Sequence, residues 1–222
     1  MKTKQKKLGI QQIAVIAMFC ALSYASMLVI KIPVQFLDLD VKDSIIILCG
    51  LIFGPVSAVA VSVIVPLLQF FTISSTGYYG LIMNVLSSLS FSLVASLIYK
   101  YKKTFKGAIA ALVCGVFSMT AIMVLANLVV TPHFMGVPTS VVAELIPTLL
   151  LPFNLTKAVL NAAIVLLLYK PLSNALKRAR LVAPSAQAEQ GAKQRSATNL
   201  VVMALSLAVI ALSLSVIFLV LK

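Results

Sequence analysis

Lys157 is a lysine inside a long apolar stretch, and of all the residues in this chain it most clearly predicts chemistry. The stretch continues without another charged residue to Tyr169. An ammonium group within a membrane helix is costly unless it is paired or hydrated, so a lysine at such a position predicts a functional role. Asn154 precedes it by three residues and Asn161 follows it by four, which places the three side chains on one face of a helix. This polar face predicts that the protein binds something polar in its interior.

The composition sets the class of protein that must position these residues. The chain has 222 residues, of which 61% are hydrophobic and 10% are charged, and its mean hydropathy is +1.11. A soluble domain of this length has no core large enough to hide so much apolar surface. The apolar runs are long and continuous rather than short and alternating, which predicts helices that satisfy their backbone hydrogen bonds within a lipid bilayer. We therefore predict an all-α integral membrane protein.

Seven apolar segments follow one another along the chain. A helix needs about 20 residues to cross a bilayer, and the second segment is too short to span alone, so we expect it to tilt or to pair closely with the third. Residues 1–182 would form a six-helix body, residues 183–199 a flexible cytoplasmic linker, and residues 200–222 one additional transmembrane helix. We expect this last helix to serve as an anchor or an oligomer contact. The segments are 10–30, 44–53, 56–73, 81–99, 107–130, 141–169 and 200–221.

Basic residues cluster in three places that alternating helices bring to one side of the membrane. The positive-inside rule makes that side cytoplasmic, so we predict a multi-pass protein of the cell membrane with a cytoplasmic N-terminus. We expect the first apolar segment to be a mature helix rather than a cleaved signal peptide. The net charge of +13 then reflects topology and contact with anionic lipid, and no nucleic-acid partner is predicted because the charge is split among short loops. The clusters are Lys2, Lys4, Lys6 and Lys7; Lys100, Lys102, Lys103 and Lys106; and Lys170, Lys177, Arg178 and Arg180.

The sequence holds few groups that could catalyse a reaction, and we predict that the protein is not an enzyme. It has one histidine, His133, and five acidic residues, and it carries no G-x-S-x-G, H-E-x-x-H or G-x-x-x-x-G-K motif. Asp38 and Asp40 are too few ligands to predict a metal site, and we expect them in a solvated outer loop. Glu144 is the single candidate for a buried acid that an ion-coupled carrier would need.

The three cysteines do not predict a disulfide or a zinc site. Cys20, Cys49 and Cys114 are isolated from one another, and each lies in an apolar run. An odd number without a C-x-x-C pair supports neither kind of cross-link. We expect them to act as small core residues.

A stripe of alanines marks the first helix. Ala17, Ala21 and Ala25 recur at every fourth residue, and Ala14 lies one turn earlier. Small residues at this spacing let two helices approach closely in lipid. The spacing alone leaves two possibilities of equal weight, a docking surface for a separate subunit or packing against this protein's own helices.

Several of these features occur together in one known family. The alanine stripe is accompanied by the outer run from Phe36 to Ser44, by Gly54-Pro55 and by the Asn154-x-x-Lys157 pair, and Asn127 lies late in the fifth helix. With this combination, residues 8 to 180 resemble the substrate-binding S component of an energy-coupling-factor (ECF) vitamin transporter, and specifically the riboflavin-binding kind. The seventh hydrophobic helix lies outside the six that the family implies.

The resemblance implies a six-helix substrate-binding bundle with riboflavin, or its phosphate FMN, as the transported ligand and no catalytic cofactor. Asn127, Asn154 and Lys157 would satisfy the polar edge of the flavin ring with their donors and acceptors. The resemblance also implies Asp40, Tyr78 and Gly80 as substrate-binding residues. From the residues alone an alternative remains, in which Asn154 caps a helix start after Pro152 and Lys157 snorkels outward.

The resemblance further implies partner subunits. The chain carries no nucleotide-binding motif, so it would dock through Ala17, Ala21 and Ala25 onto a membrane scaffold subunit that carries two ATP-binding subunits. Two alternatives remain open, an S component for another vitamin such as thiamine or pantothenate, and an ion-coupled secondary carrier. An integral membrane enzyme is disfavoured because convergent acids and histidines are lacking.

Overall fold

The structure, a computed structural model, describes residues 9–179 and 195–218. These residues form helices joined by short connections, with one small hairpin near the N-terminal end. In chain order the elements are α1 (Ile10–Val29), β1 (Lys31–Val34), β2 (Leu37–Asp40), α2 (Lys42–Phe53), α3 (Pro55–Thr72), α4 (Gly77–Tyr101), α5 (Phe105–Met135), α6 (Thr139–Leu145), a π-helical turn (Ile146–Leu150), α7 (Leu151–Arg178) and α8 (Arg195–Val216).

The helical membrane architecture is confirmed, although the number of spanning helices is not. Within the described ranges, five stretches are long and apolar enough to cross a bilayer. The helix α2 is too short, and α8 contributes a shorter apolar stretch, Val201–Val216. Six spans plus one therefore remains a prediction. The five stretches are Gln12–Val29, Pro55–Thr72, Gly77–Tyr101, Phe105–Met135 and Thr139–Leu176.

The short helix α2 is the buried centre of the bundle. Its residues Ile46, Ile47 and Cys49 have no exposed surface. The helix approaches α3 so closely that a Cβ atom at Gly50 would lie 2.8 Å from that of Ala58. The predicted close pairing of the second and third segments is thus confirmed, and the burial explains why a helix of 12 residues suffices here.

A β-hairpin, which the all-α prediction overlooks, lies between α1 and α2. Its strands pair antiparallel, with Lys31 opposite Asp40 and Val34 opposite Leu37. Gln35 turns the chain with a left-handed φ of 53°. The strands are only four residues long, so the alternation of apolar and polar residues is too brief to predict a strand from sequence. Asp40, the last strand residue, is carried by this hairpin to the start of α2.

The sixth apolar segment is divided rather than continuous. It begins as α6, passes through the π-helical turn and continues as α7 to Arg178, beyond the predicted end at residue 169. Pro147 lies in the turn and Pro152 follows it. Proline lacks the backbone N–H that a regular α-helix would use, and this accounts for the irregular ladder at that point.

Two apolar clusters hold the bundle together. The larger one surrounds α2. The second, which we call the hairpin cluster, joins the hairpin to α7 and to the end of α8. Its buried members are Val34, Leu39, Val41, Leu149, Phe153, Leu160 and Ile217.

Some predicted segments fall outside the described part of the chain. These include the N-terminal lysines at positions 2 to 7, the terminal residues 219–222 and most of the predicted linker 183–199. The last helix begins at Arg195 rather than at residue 200, so the predicted linker is too long at its C-terminal end.

Candidate functional site

A cavity opens between the hairpin and helices α4, α5 and α7. It encloses about 690 Å³ of space when the open solvent at its mouth is included. One part of the wall is polar and another is aromatic. The polar side chains include Asn84, Asn127, Asn154 and Lys157, and the aromatic ones are Phe36, Tyr79, Phe134 and Phe153.

Lys157 lies on α7 with its side chain directed into the protein. It is 6% exposed, and its Nζ donates to Asp40 Oδ2 at 3.0 Å and to the backbone oxygen of Asp38 at 3.1 Å. An ammonium group has three donors, so one N–H remains for a ligand in the cavity that Lys157 lines. Lys157 therefore does not snorkel to the membrane surface.

Asn154 lies one turn before Lys157 on the same buried face. Its Nδ2 donates to the backbone oxygen of Leu150 at 2.7 Å, and its Oδ1 has no hydrogen-bond partner among the described residues. The π-helical turn runs directly into α7, so Asn154 lies inside a continuous helix and caps no helix start. Its amide oxygen is thus an acceptor available at the cavity wall.

Asn127 brings a second amide to the cavity from α5. Its Nδ2 donates to the backbone oxygen of Met123 at 2.7 Å, and its Oδ1 accepts from Thr131 Oγ1 at 2.8 Å. These bonds fix the orientation of the amide. One N–H and one lone pair remain for other partners.

Asp40 does not line the cavity but fixes the lysine that does. Its Oδ2 accepts from Lys157 and from Lys42, each at 3.0 Å. Its backbone oxygen accepts from Asn161 Nδ2 at 3.1 Å. Burial alone would raise the pKa of Asp40, but the two ammonium groups outweigh burial and lower this pKa to about 2. Asp40 is therefore a carboxylate at any physiological pH and acts as a positioning residue.

The sequence prediction missed Lys42, Asn84 and Asp43. Lys42 is fully buried and donates to Asp40 and to Asn84 Oδ1. Asp43, in the first turn of α2, accepts from the hydroxyls of Ser87 and Ser88. Two acids and two lysines thus form a neutral buried group, which we call the ionic cluster: Asp40, Lys42, Asp43 and Lys157.

The expectation of a solvated outer loop is therefore wrong for Asp40, which is 1% exposed. Glu144, expected as the single candidate buried acid, is instead exposed. The sequence signal that could have indicated this burial is Lys42 between Asp40 and Asp43, since a lysine between acids can neutralise them in a buried position.

Tyr78 and Gly80, also predicted to bind substrate, both lie in the first turn of α4. Gly80 lies at the cavity and Tyr78 does not. Gly80 lines the wall, its backbone oxygen accepts from Asn84 Nδ2 at 2.9 Å, and a Cβ atom there would collide with Thr76. Tyr78 is 58% exposed and lies against Tyr79, with ring centroids 4.1 Å apart. The aromatic ring that reaches the cavity is Tyr79.

The alanine stripe of α1 lies on the outside of the bundle. Ala17, Ala21 and Ala25 are all exposed. Val15, two positions before the stripe, and Phe19, between Ala17 and Ala21, are buried in the core. The small-residue face therefore points away from the other helices of this chain.

The cysteines divide by position. Cys20 and Cys49 are buried, as expected, whereas Cys114 is exposed on α5, so the core prediction is wrong for that residue. Over residues 9–179 and 195–218, no three metal-ligating side chains come together.

The chain is similar to known proteins over most of its length. The "Riboflavin transporter RibU" of Staphylococcus aureus (strain TCH60) is 30% identical over 187 residues, which cover 78% of this chain and 98% of that protein. The "Riboflavin transporter FmnP" of Bacillus subtilis (strain 168) is 24% identical over 184 residues, covering 77% of this chain and 96% of that protein.

A solved structure and a family model agree with these relatives. The structure is described as "Structure and mechanism of the S component of a bacterial ECF transporter"; it is 30% identical, has a TM-score of 0.64 and matches 75% of this chain and 97% of its own. The family described as "ECF transporter, substrate-specific component" matches residues 11–169. That match includes the hairpin, the ionic cluster and each cavity residue named above, and the chain belongs to the substrate-specific components of ECF transporters.

Proposed function

We propose that this chain captures riboflavin in the cavity between the hairpin, α4, α5 and α7. The observation that carries the proposal is the convergence of Asn127, Asn154 and Lys157, from two helices, on one partly aromatic cavity. Two relatives named riboflavin transporters, each aligned over more than three quarters of this chain, support the same ligand.

The chemistry of the flavin ring suits the groups that line the cavity. An isoalloxazine ring is flat and largely apolar, with one edge of carbonyls, ring nitrogens and an imide N–H. The oxygen of Asn154 can accept the imide N–H, and the remaining N–H groups of Lys157 and Asn127 can donate to the carbonyls. Rings such as Tyr79 and Phe153 can cover the flat faces. A ligand without that polar edge would leave these buried groups unpaired and would bind weakly.

The ionic cluster makes the site suitable for a neutral ligand. Lys157 already has Asp40 as its counter-ion, and the four charges of the cluster cancel. A ligand therefore need not bring a negative charge to neutralise the lysine. Lys157 acts as a fixed hydrogen-bond donor rather than as an anion trap.

Capture at the outer face is coupled to a separate motor in this proposal. The exposed stripe of Ala17, Ala21 and Ala25 docks onto a membrane scaffold subunit that carries two ATP-binding subunits. Small residues allow the close helix approach that association in lipid requires. The N-terminus is cytoplasmic, and α2 and α8 complete the six-plus-one arrangement of membrane helices.

The purified full-length protein tests the ligand assignment directly. Bound flavin should colour the preparation yellow, and riboflavin titrated into ligand-free protein should lose fluorescence as it binds. FMN, thiamine and pantothenate serve as competitors. If FMN displaces riboflavin while thiamine and pantothenate do not, the flavin assignment stands. Displacement of riboflavin by thiamine or pantothenate, or an absence of quenching, would reject it.

A further inference from the structure

The last helix lies outside the family match and yet packs in the same apolar cluster as the hairpin. The match ends at residue 169, whereas α8 begins at Arg195. Ile217, directly after α8, is 1% exposed and belongs to the hairpin cluster with Val34 and Leu39 of the hairpin. The end of this helix therefore packs in the same apolar cluster as the hairpin.

The hairpin cluster continues into the cavity wall. Phe36 and Leu37, at the tip of the hairpin, pack against the cluster and also line the cavity. Phe153 of α7 belongs to both as well. A chain of packed side chains thus connects the end of α8 to the surface that a ligand would touch.

One face of α8 carries these contacts. Ile210 and Leu214 pack against the hairpin cluster, together with Ile217. These residues are separated by four and three positions, which places them on one side of the helix. Leu212, on another side, is 65% exposed. A helix that served only as an anchor would need no such buried face.

The hairpin is fastened on its other side by polar contacts. Lys157 and Asn161 of α7 bind Asp40, and Lys157 also binds the backbone of Asp38. A hairpin of two short strands is marginally stable alone. Besides the polar contacts from α7, the hairpin is held by the apolar cluster that it shares with α7 and α8.

We propose that α8 braces the hairpin where it lines the cavity and thereby slows local opening of the hairpin and release of the ligand. The predicted effect on ligand release rests on the proposed riboflavin site. The predicted effect on hairpin opening is independent of that site, because opening can be measured without a ligand.

The test uses the full chain with the double substitution Leu214→Ala and Ile217→Ala, and Leu212→Ala as a control on the exposed side of the same helix. Removing packed side chains should loosen the hairpin. In ligand-free protein, backbone hydrogen exchange in residues 31–40 should become roughly tenfold faster, while peptides from α4 and α5 stay unchanged. Riboflavin dissociation, followed by the return of fluorescence after dilution, should accelerate by a similar factor.

The outcomes separate the two proposals. Unchanged hairpin exchange in the double variant, or equal acceleration in Leu212→Ala, would reject the brace. If hydrogen exchange in the double variant rises throughout the protein, the milder substitution Ile217→Val is measured instead. Faster exchange that is confined to the hairpin in Ile217→Val supports the brace, and a uniform change or no change rejects it. If the wild type fails to bind riboflavin, the proposed ligand is wrong, and hairpin exchange still decides the role of α8.

Discussion

At the scale of single residues, the site depends on one carboxylate shared by two lysines. Asp40 accepts from Lys42 and Lys157 through the same oxygen. Removing one partner of a buried ion pair lowers protein stability far more than replacing both partners with apolar residues, because the remaining charge is buried without a counter-ion. The two lysines are not equivalent in this respect. Loss of Lys157 leaves Asp40 paired with Lys42, whereas loss of Asp40 leaves two ammonium groups without their shared counter-ion.

We therefore expect Lys157→Ala to weaken riboflavin binding while the protein remains folded. The lost charge-assisted hydrogen bond is worth about 1.5–3 kcal/mol, or about tenfold to a hundredfold in affinity. Fluorescence quenching in detergent measures the affinity, and thermal unfolding checks the fold. The matched control is Lys102→Ala, which removes an exposed lysine after α4 and should leave binding unchanged. Equal affinity in wild type and Lys157→Ala would remove this lysine from the site.

Asp40→Asn should destabilise the protein strongly, by about 3–5 kcal/mol, because two buried lysines lose their counter-ion. Asp38→Asn is the control on the same hairpin. Asp38 pairs with Lys31 at a partly exposed position, where such a pair contributes about 1 kcal/mol or less. Thermal unfolding of the three proteins in detergent should rank Asp40→Asn well below the other two. Equal losses from both substitutions would show that the ionic cluster does not hold the hairpin.

The same carboxylate predicts a pH dependence. The pKa of Asp40 is about 2 in the folded protein and about 4 in an unfolded chain. A group whose pKa is lower when folded stabilises the fold above its unfolded pKa and loses that contribution as the pH falls through its folded pKa. The stability difference between wild type and Asp40→Asn should thus stay constant from about pH 7 to 5 and shrink between about pH 4 and 2. A difference that already shrinks near pH 6 would contradict this assignment.

At the scale of elements, the sequence predicts what depends on local composition and misses what depends on distant partners. Long apolar runs specify the helices, and the polar face of α7 follows from spacing alone. The hairpin strands are too short to show a period, and their stability comes from contacts made elsewhere. Asp40 and Lys157 are 117 residues apart in the sequence, so the sequence around one residue does not predict its pairing with the other. The burial of Lys42 depends on the same distant packing.

The helix α1 shows how the structure adds to a pattern that sequence leaves open. The alanine stripe allows internal packing or docking, and both need small residues. In the structure Ala21 is exposed, while Phe19, two positions earlier, is buried. A larger side chain at Ala21 therefore meets no neighbouring helix of this chain, and overpacking of the core is not expected.

Ala21→Leu should accordingly leave riboflavin affinity and thermal stability almost unchanged and strongly reduce ATP-dependent uptake. The added side chain would hold a docked partner helix away and remove the close contact on which association in lipid depends. Uptake into cells or vesicles containing the complete transporter measures the effect, and copurification of the partner should fall with it.

The control for this substitution is Ala121→Leu, which enlarges an exposed alanine on α5. It adds the same side chain to another outer face and should leave uptake intact. If Ala21→Leu lowers stability and binding together with uptake, the stripe is internal packing. If both variants reduce uptake equally, the stripe has no special docking role.

At the scale of the whole molecule, the exposed basic turn between α4 and α5 and the cavity occupy opposite ends. The turn between α4 and α5 carries Lys102 and Lys103. Lys170 of α7 lies beside this turn, with its Nζ 4.8 Å from the ring centroid of Phe105. The hairpin and the cavity mouth lie at the other ends of these helices. Basic residues favour the cytoplasmic side, so this arrangement predicts a cavity that opens to the outside.

Two single-cysteine variants test that orientation in a chain whose three native cysteines have been replaced. Ser75→Cys lies between α3 and α4 on the cavity side, and Lys103→Cys lies in the basic turn; both positions are exposed. A membrane-impermeant maleimide added to intact cells should label position 75 at once and position 103 only after the membrane is permeabilised. The positive-inside rule supplies the physical reason, because lysines near helix ends resist transfer across the bilayer. Labelling of position 103 in intact cells, with position 75 protected, would invert the molecule and place the cavity mouth in the cytoplasm, where it could not capture a vitamin from outside.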